Sequence, residues 1–269
     1  MKVTDLIKSK ERISYSFEVT SDVTEEEINN LEANPQFFSV TWHAKSHQCK
    51  DMNISPLKTA RMLVRKNKTV LMHLSCDMLK EDYLNRLLIT FQKLNICNLF
   101  VVLGEGYDPK TSDFKSASQL IKFIRQQTGN YFCIGVAGFT DCSDDKLLQT
   151  KEKIESGADF IITQAFFELE TFMLYKARCG SIHLEVPIIP GIFLFESYKQ
   201  LSGFVDLCKV KVSDSLLEFI KNEEELNKPG LEIVQLLIQQ LKVACQIEHF
   251  HFFTLNKLQN VTKFIQNYC

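Results

Sequence analysis

The chain has 269 residues, 45% of them hydrophobic, with a formal net charge of −2. That length supplies one large domain or two small ones with a full core. The scattered Lys and Arg argue against nucleic acid as the main partner, and no apolar run reaches membrane-span length. The N-terminus lacks the apolar core and small-residue cleavage pattern of a secretion signal, so a soluble cytoplasmic protein is expected. Its 9 cysteines are odd in number and contain no CxxC pair, which excludes a disulfide framework or zinc ribbon.

Apolar runs rich in β-branched and aromatic residues recur along the chain. They are ISYSFEV (13–19), FFSVTW (37–42), TVLMHLSC (69–76), LFVVLG (99–104), FCIGVAGF (132–139), FIITQAFF (160–167), VPIIPGIF (186–193) and HFHFFTL (249–255). Their interiors are nearly continuous in apolar residues, as parallel strands covered by helices require. Helical segments separate them. TEEEINNLEAN opens on Thr24 with Glu27 three residues later, a capping-box pattern. LKEDYLNRLLITFQKLN and FKSASQLIKFIRQQTGN have helical spacing, the second ending near Gly129. SDDKLLQTKEKIESGA starts on Ser143 and stops at Gly157, and 196–245 has room for three helices. The alternation predicts a single α/β domain over 1–269, a (βα)8 TIM barrel. A doubly wound sheet is the alternative, but it usually carries a Gly-rich turn after its first strand, and SFEVTSD is not one.

In such a barrel the chemistry gathers at the C-terminal ends of the strands. Glu18 ends a strand that is otherwise apolar. A partly desolvated carboxyl there would have a raised pKa and could act as a general acid. A carboxylate satisfied by a neighbouring hydroxyl or Lys is the equal alternative. His43, His47 and the pair His249 and His251 invite a metal hypothesis. The HxH pair, however, opens the last strand, at the end away from the catalytic face, and two histidines packed in the core or at its rim fit better. No metal site is expected. No phosphate-binding loop, GxSxG or GxGxxG is present.

SFE on strand one, SVTWHA on two, HLSC on three, GADFIITQAFFE on six, VPIIPGIF on seven and HFHFFTLNK on eight occur in this order. Together they resemble the catalytic domain of methylenetetrahydrofolate reductase in its eukaryotic form, from about residue 13 to 258. The resemblance implies a (βα)8 barrel that binds FAD and reduces 5,10-methylenetetrahydrofolate to 5-methyltetrahydrofolate, with NADPH or NADH as hydride donor, feeding methionine synthesis. It implies Glu18 as the general acid that helps open the folate's five-membered ring. It places Thr41 and His73 near the flavin, and Lys153 and Gln149 at a flavin phosphate or ribose. Gln164 would contact the pterin. Tyr198 stands where an aromatic stacks on substrate or cofactor, and Lys257 where the family usually has Arg.

Three flavin-side motifs depart from the family. Strand four usually ends in L-R-G-D; here it reads Leu103-Gly104-Glu105 after Val102, and Leu103 cannot hold a pyrophosphate as Arg does. Glu105 keeps the acidic charge expected near flavin and pterin. After strand five, Ala137-Gly138-Phe139 replaces A-G-Y, and Ser143 stands at the family's His. Strand one continues Val19-Thr20-Ser21 where the family has F-F-P-P. Two readings follow: an unregulated reductase without the family's C-terminal S-adenosylmethionine domain, or a flavin-deficient barrel that binds folate or pairs with a full-length reductase. A homo-oligomer is compatible with both. A metal-dependent hydrolase is the third reading, and it would need several converging His and Asp ligands.

Overall fold

A computed structural model describes residues 1–8, 13–43, 52–104, 106–223 and 229–268. The strands are β1 (Ser14–Val19), β2 (Phe38–Val40), β3 (Val70–Ser75), β4 (Asn98–Val102), β5 (Cys133–Gly138), β6 (Phe160–Ala165), β7 (Ile188–Phe193) and β8 (His249–Phe253). They pair in parallel, in chain order, and β8 closes on β1, forming the barrel that the alternation predicts. Each predicted run holds a strand whose ends differ from it by at most two residues.

The helices α1 (Val3–Leu6), α2 (Glu25–Asn29), α3 (Ser55–Arg65), α4 (Glu81–Lys93), α5 (Ala117–Thr128), α6 (Asp144–Glu155), α7 (Leu169–Ser181), α8 (Tyr198–Cys208), α9 (Asp214–Glu223), α10 (Pro229–Cys245) and α11 (Leu258–Tyr268) complete the described elements. α2 begins as its sequence dictates. Thr24 Oγ1 accepts from the Glu27 amide at 3.2 Å, and the Glu27 carboxylate accepts from the Thr24 amide at 2.8 Å. Ser143 caps α6, and Gly129 ends α5 with φ +56°. The 196–245 region holds three helices, α8 to α10.

Two apolar sets form the core. The larger lies between barrel and helices, with Phe17, Val40, Leu74, Val101 and Ile161 pointing outward from the strands. The smaller comprises Phe37, Leu71, Phe100, Cys133, Phe160, Ile162 and Ile189 on the alternate, inward positions. Val3 of α1 joins it from the N-terminal face, where its amide donates to Asn98 Oδ1 at 2.8 Å. This short plug is too small to leave a periodic signal in the sequence. The inner set leaves one sector polar. Ser14, Ser16 and Glu18 on β1, Ser39 on β2, His73 on β3, and His249 and His251 on β8 all fall on inward positions.

Candidate active site

Glu18 is the last inward residue of β1. Its register partners are Ser39 on β2 and Phe253 on β8. Its backbone is fixed by the segment after β8: Thr254 Oγ1 donates to the Glu18 carbonyl at 2.5 Å. Asn256 then receives the Thr20 amide at 2.9 Å and donates to Thr20 Oγ1 at 2.6 Å. Leu255 and Asn256 adopt left-handed backbone, φ +47° and +58°, which turns the Asn256 amide back onto β1. The TLN tripeptide is therefore a clamp that aims Glu18 into the mouth.

Burial pushes the Glu18 carboxyl up to about 7, so the group carries a proton near neutrality. His73 Nε2 lies 4.0 Å from Glu18 Oε2 and 2.6 Å from Ser39 Oγ. Burial, with a smaller contribution from His43, lowers His73 to about 3. With His73 neutral and Glu18 protonated at pH 6, the two meet as uncharged groups and make no ion pair. A buried acid kept protonated beside a neutral imidazole is a proton donor suited to pH 7. Among the described residues no Lys pairs with Glu18, whose one basic neighbour within 4.0 Å is His73.

Two hollows open at the C-terminal ends of the strands, and Glu18 lines neither. One, of about 300 Å³, lies over the β7 and β8 ends. Phe193 and Phe204 stack in it at 3.8 Å with planes 9° apart. Phe253, Lys199, Lys257 and the carboxyl-bearing Glu196 also line it. The other, of about 240 Å³, is lined by Thr140, Asp141, Gln164, Lys211 and Ser213. Gln164 Nε2 approaches the Cys208 carbonyl at 3.5 Å, the far limit for a hydrogen bond.

The other residues singled out in the sequence fall as follows. Thr41 occupies the next inward position after Ser39, and among the described residues its buried hydroxyl has no partner. Ala137 packs with the inner set. Phe139 carries the Lys146 ammonium 4.6 Å above its ring. Lys153 is partly buried, and burial with the neighbouring Lys146 lowers it to about 8. Gln149 is exposed on α6. Tyr198 opens α8 and packs against the outer core, while Phe193 and Phe204 line the hollow. The sequence reading passed over this pair; Phe204 sits six residues beyond Tyr198, on the face of α8 that its spacing assigns to the core. Glu105 and His47 lie outside the described residues.

The strand-four turn is tightly seated. Gly104 has φ +103°, and a Cβ there would strike Ser75 Oγ and Asp77 Cβ. Beneath it Asp77 is 5% exposed, and among the described residues its Oδ1 has no hydrogen-bond partner. Leu103 is 40% exposed.

These residues fit a flavin's ring end. Thr41 offers an unused hydroxyl, Ala137 a small flat wall, and Lys153 a cation for a phosphate. The histidine pair of β8 is packed. His249 and His251 bond Ser14 and Ser16 and stack on Phe37 at 5.4 and 5.9 Å. Among the described residues no group of three or more His, Cys, Asp or Glu is placed to hold a metal ion. No described helix is long and apolar enough to cross a membrane.

The family model for methylenetetrahydrofolate reductase matches residues 2–268. Methylenetetrahydrofolate reductase 2 of Schizosaccharomyces pombe is 29% identical over 99% of this chain and 47% of its own length. The 5,10-methylenetetrahydrofolate reductase of Pectobacterium carotovorum is 27% identical over 92% of this chain and 87% of its own. The chain thus spans about half the length of the eukaryotic relatives it matches. A Clostridium thermocellum protein described as binding two copies of 5-methyl-5,6,7,8-tetrahydrofolic acid shares the fold, with TM-score 0.69 and 16% identity over 98% of this chain and 97% of that one. By the family match over nearly its whole length, the chain belongs to the methylenetetrahydrofolate reductase family.

Proposed function

We propose that the chain reduces 5,10-methylenetetrahydrofolate to 5-methyltetrahydrofolate with FAD and NADPH or NADH, as a single catalytic barrel over 1–269. The observation that carries this reading is Glu18: a carboxyl aimed into the mouth, held protonated up to about pH 7 by burial. Glu18 gives its proton to the folate nitrogen that leaves the methylene bridge. The five-membered ring opens, and the other nitrogen forms the iminium that accepts hydride. A flavin bound here would supply that hydride, with NADPH or NADH as its reductant. Thr41, His73, Ala137, Phe139, Gln149 and Lys153 would hold the flavin, and the acidic charge of Glu105 would serve flavin and pterin alike. Gln164 orients the pterin. Phe193 and Phe204, with Lys257 and Lys199, form an aromatic and cationic wall suited to the benzoyl ring and carboxylates of a folate tail.

A second reading is favoured by one observation, the unpartnered Asp77 oxygen beneath a turn that carries Leu103. An acidic group there opposes a pyrophosphate, and the barrel would then bind folate without flavin, alone or beside a full-length reductase. The test is the visible absorption of the purified chain after FAD is added and removed by desalting, followed by assay of methyltetrahydrofolate formation. A retained flavin band with turnover supports the reductase. A colourless protein that still binds folate overturns it in favour of the second reading.

A further inference from the structure

One group of buried polar side chains is not used by the chemistry above. β1 and β8 run parallel in a register that sets Ser14 opposite His249 and Ser16 opposite His251. Each inward serine thus meets an inward imidazole. Ser14 Oγ lies 2.8 Å from His249 Nδ1, His249 Nε2 3.0 Å from Ser16 Oγ, and Ser16 Oγ 2.8 Å from His251 Nδ1. The lower end reaches the surface, where Ser14 also approaches the carbonyl of exposed Glu248 at 3.3 Å. The upper end, His251, lies one inward layer below Glu18. Phe37 stacks along both imidazoles and Phe253 stands edge-on to His251, so the column is walled by aromatics.

We propose that Ser14, His249, Ser16 and His251 form a proton column that hands a proton to Glu18 after each release. The proposal rests on Glu18 acting as an acid. Hydrogen-bond chemistry gives the column two senses. Each hydroxyl has one proton to donate and each neutral imidazole one N–H. If Ser14 donates to His249 Nδ1, then His249 Nε2–H donates to Ser16, Ser16 to His251 Nδ1, and His251 Nε2–H faces the site. If Ser14 donates to Glu248 O, every bond reverses and His251 Nε2 faces the site as an acceptor. Passing one proton up converts the first sense to the second. His251 Nε2, one inward layer below, loses its proton to the Glu18 carboxylate. Each group below passes one up, and Ser14 takes one from solvent. Both imidazoles stay neutral throughout, in keeping with the burial that holds His249 at about 3 and His251 well below its ordinary value. Once product has left, His251 Nε2 takes a proton from solvent at the mouth, each group below passes one down and Ser14 returns one to solvent; this restores the first sense, and the proton consumed in turnover enters at the mouth. Among the described residues the titratable groups facing this path are Glu18 on β1, His73 on β3 and the two imidazoles on β8; Ser39 on β2 and the Phe37 ring supply no charge.

Nitrogen NMR of the histidine-labelled protein tests this without flavin or turnover. The tautomers of His249 and His251 are followed while pH passes through the Glu18 titration. We expect both to change together with Glu18, although His249 is two inward layers below it. Ser16→Ala should stop His249 from following, and Glu18→Gln should stop both. A His249 tautomer that stays constant across the wild-type titration, or that follows Glu18 equally well in Ser16→Ala, overturns the column. Ser14→Ala, at the half-buried rim, keeps the test open if Ser16→Ala misfolds, with His249 then expected to hold one tautomer throughout. In turnover, Ser14→Ala should slow methyltetrahydrofolate formation about tenfold, a share of the roughly 10²–10⁴ that a general acid contributes, with folate affinity unchanged and a changed solvent isotope effect. A wild type that makes no product but shows coupled tautomers refutes the reductase reading and leaves the column standing.

Discussion

On the side of the mouth formed by β1, β2, β3 and β8, Glu18 is clamped by Thr254, and Ser39 bonds His73. Across it, at the β4 and β5 ends, Leu103 is 40% exposed, Asp77 keeps an oxygen without a partner, and Lys146 lies over the Phe139 ring. The acid side is built from inward strand positions, where each polar group is locked by a neighbour on the next strand and a substitution disturbs the barrel. The other side is built from turns, with Leu103 turned to solvent and Asp77 buried beneath the Gly104 turn. There an exposed residue such as Leu103 can be replaced at little cost to the fold. A substitution on the acid side disturbs the barrel, whereas one at the exposed part of the turns changes the site alone.

Removing the acid gives the largest effect. Glu18→Gln keeps the shape and takes away the transferable proton, so methyltetrahydrofolate formation should fall by roughly 10²–10⁴. Reduction of bound flavin by NADPH or NADH should be nearly unaffected. Stopped-flow measurement of the two half-reactions checks this; an equal loss in both would mean that Glu18 positions the flavin.

The same substitution separates charge from shape in stability. Glu18 titrates near 7 in the folded chain against an ordinary 4.5. The stability associated with its protonated form is full below about pH 4.5 and is lost as pH rises toward 7. Over that window the wild type loses about 3 kcal/mol at ~1.4 kcal/mol per pKa unit. Glu18→Gln should therefore be more stable than wild type at pH 8 by up to about 3 kcal/mol, with the difference vanishing below pH 5. His73 has the opposite sign: its folded value near 3 leaves its contribution intact above 6.5 and lost as pH falls toward 3. Urea titrations at pH 5 and 8 read both, and an unchanged difference between the two pH values would place Glu18 in water.

How far this contrast was legible in the sequence follows from the same physics. The barrel was readable because eight buried strands leave eight apolar runs, whatever the loops do. Glu18 was readable as an acidic residue closing an apolar strand, and the family resemblance gave it a role. What escaped depends on contacts between distant segments. Ser14 and Ser16 look like ordinary strand residues until register sets them against His249 and His251, 235 positions away. Phe204 looks like one more core residue among 21 phenylalanines until it stacks on Phe193. Asp77 follows HLSC with no local sign that its carboxylate is roofed by the Gly104 turn.

The flavin side can be sharpened by restoring what it lacks. Leu103→Arg replaces an exposed apolar residue at the turn, so the fold should tolerate it. A charge-assisted contact to phosphate is worth about 1.5–3 kcal/mol, so FAD affinity should rise about 10- to 100-fold. Equilibrium titration of FAD fluorescence measures it. Unchanged affinity would show that the pyrophosphate does not pass this turn.

The smallest effect isolates Asp77. Its carboxylate is buried below the turn, with Oδ2 3.6 Å from where a Cβ on Gly106 would lie. A pyrophosphate crossing the turn would meet that acidic group across a few ångströms of protein. At an effective dielectric of about 20 and ordinary salt, the repulsion amounts to about 1 kcal/mol after screening. Asp77→Asn should therefore tighten FAD binding about 3- to 5-fold and leave folate binding unchanged, because Glu18 and Gln164 lie on other strands. The gain should shrink as salt is raised, and it should couple with Leu103→Arg, since an Arg at the turn would itself draw on the Asp77 charge. A double-mutant cycle separates the two contributions. Strict additivity would place the residues too far apart to share a phosphate, and a loss of FAD affinity in Asp77→Asn would make the carboxylate a flavin contact, with its unpartnered oxygen waiting for a ribityl or ribose hydroxyl.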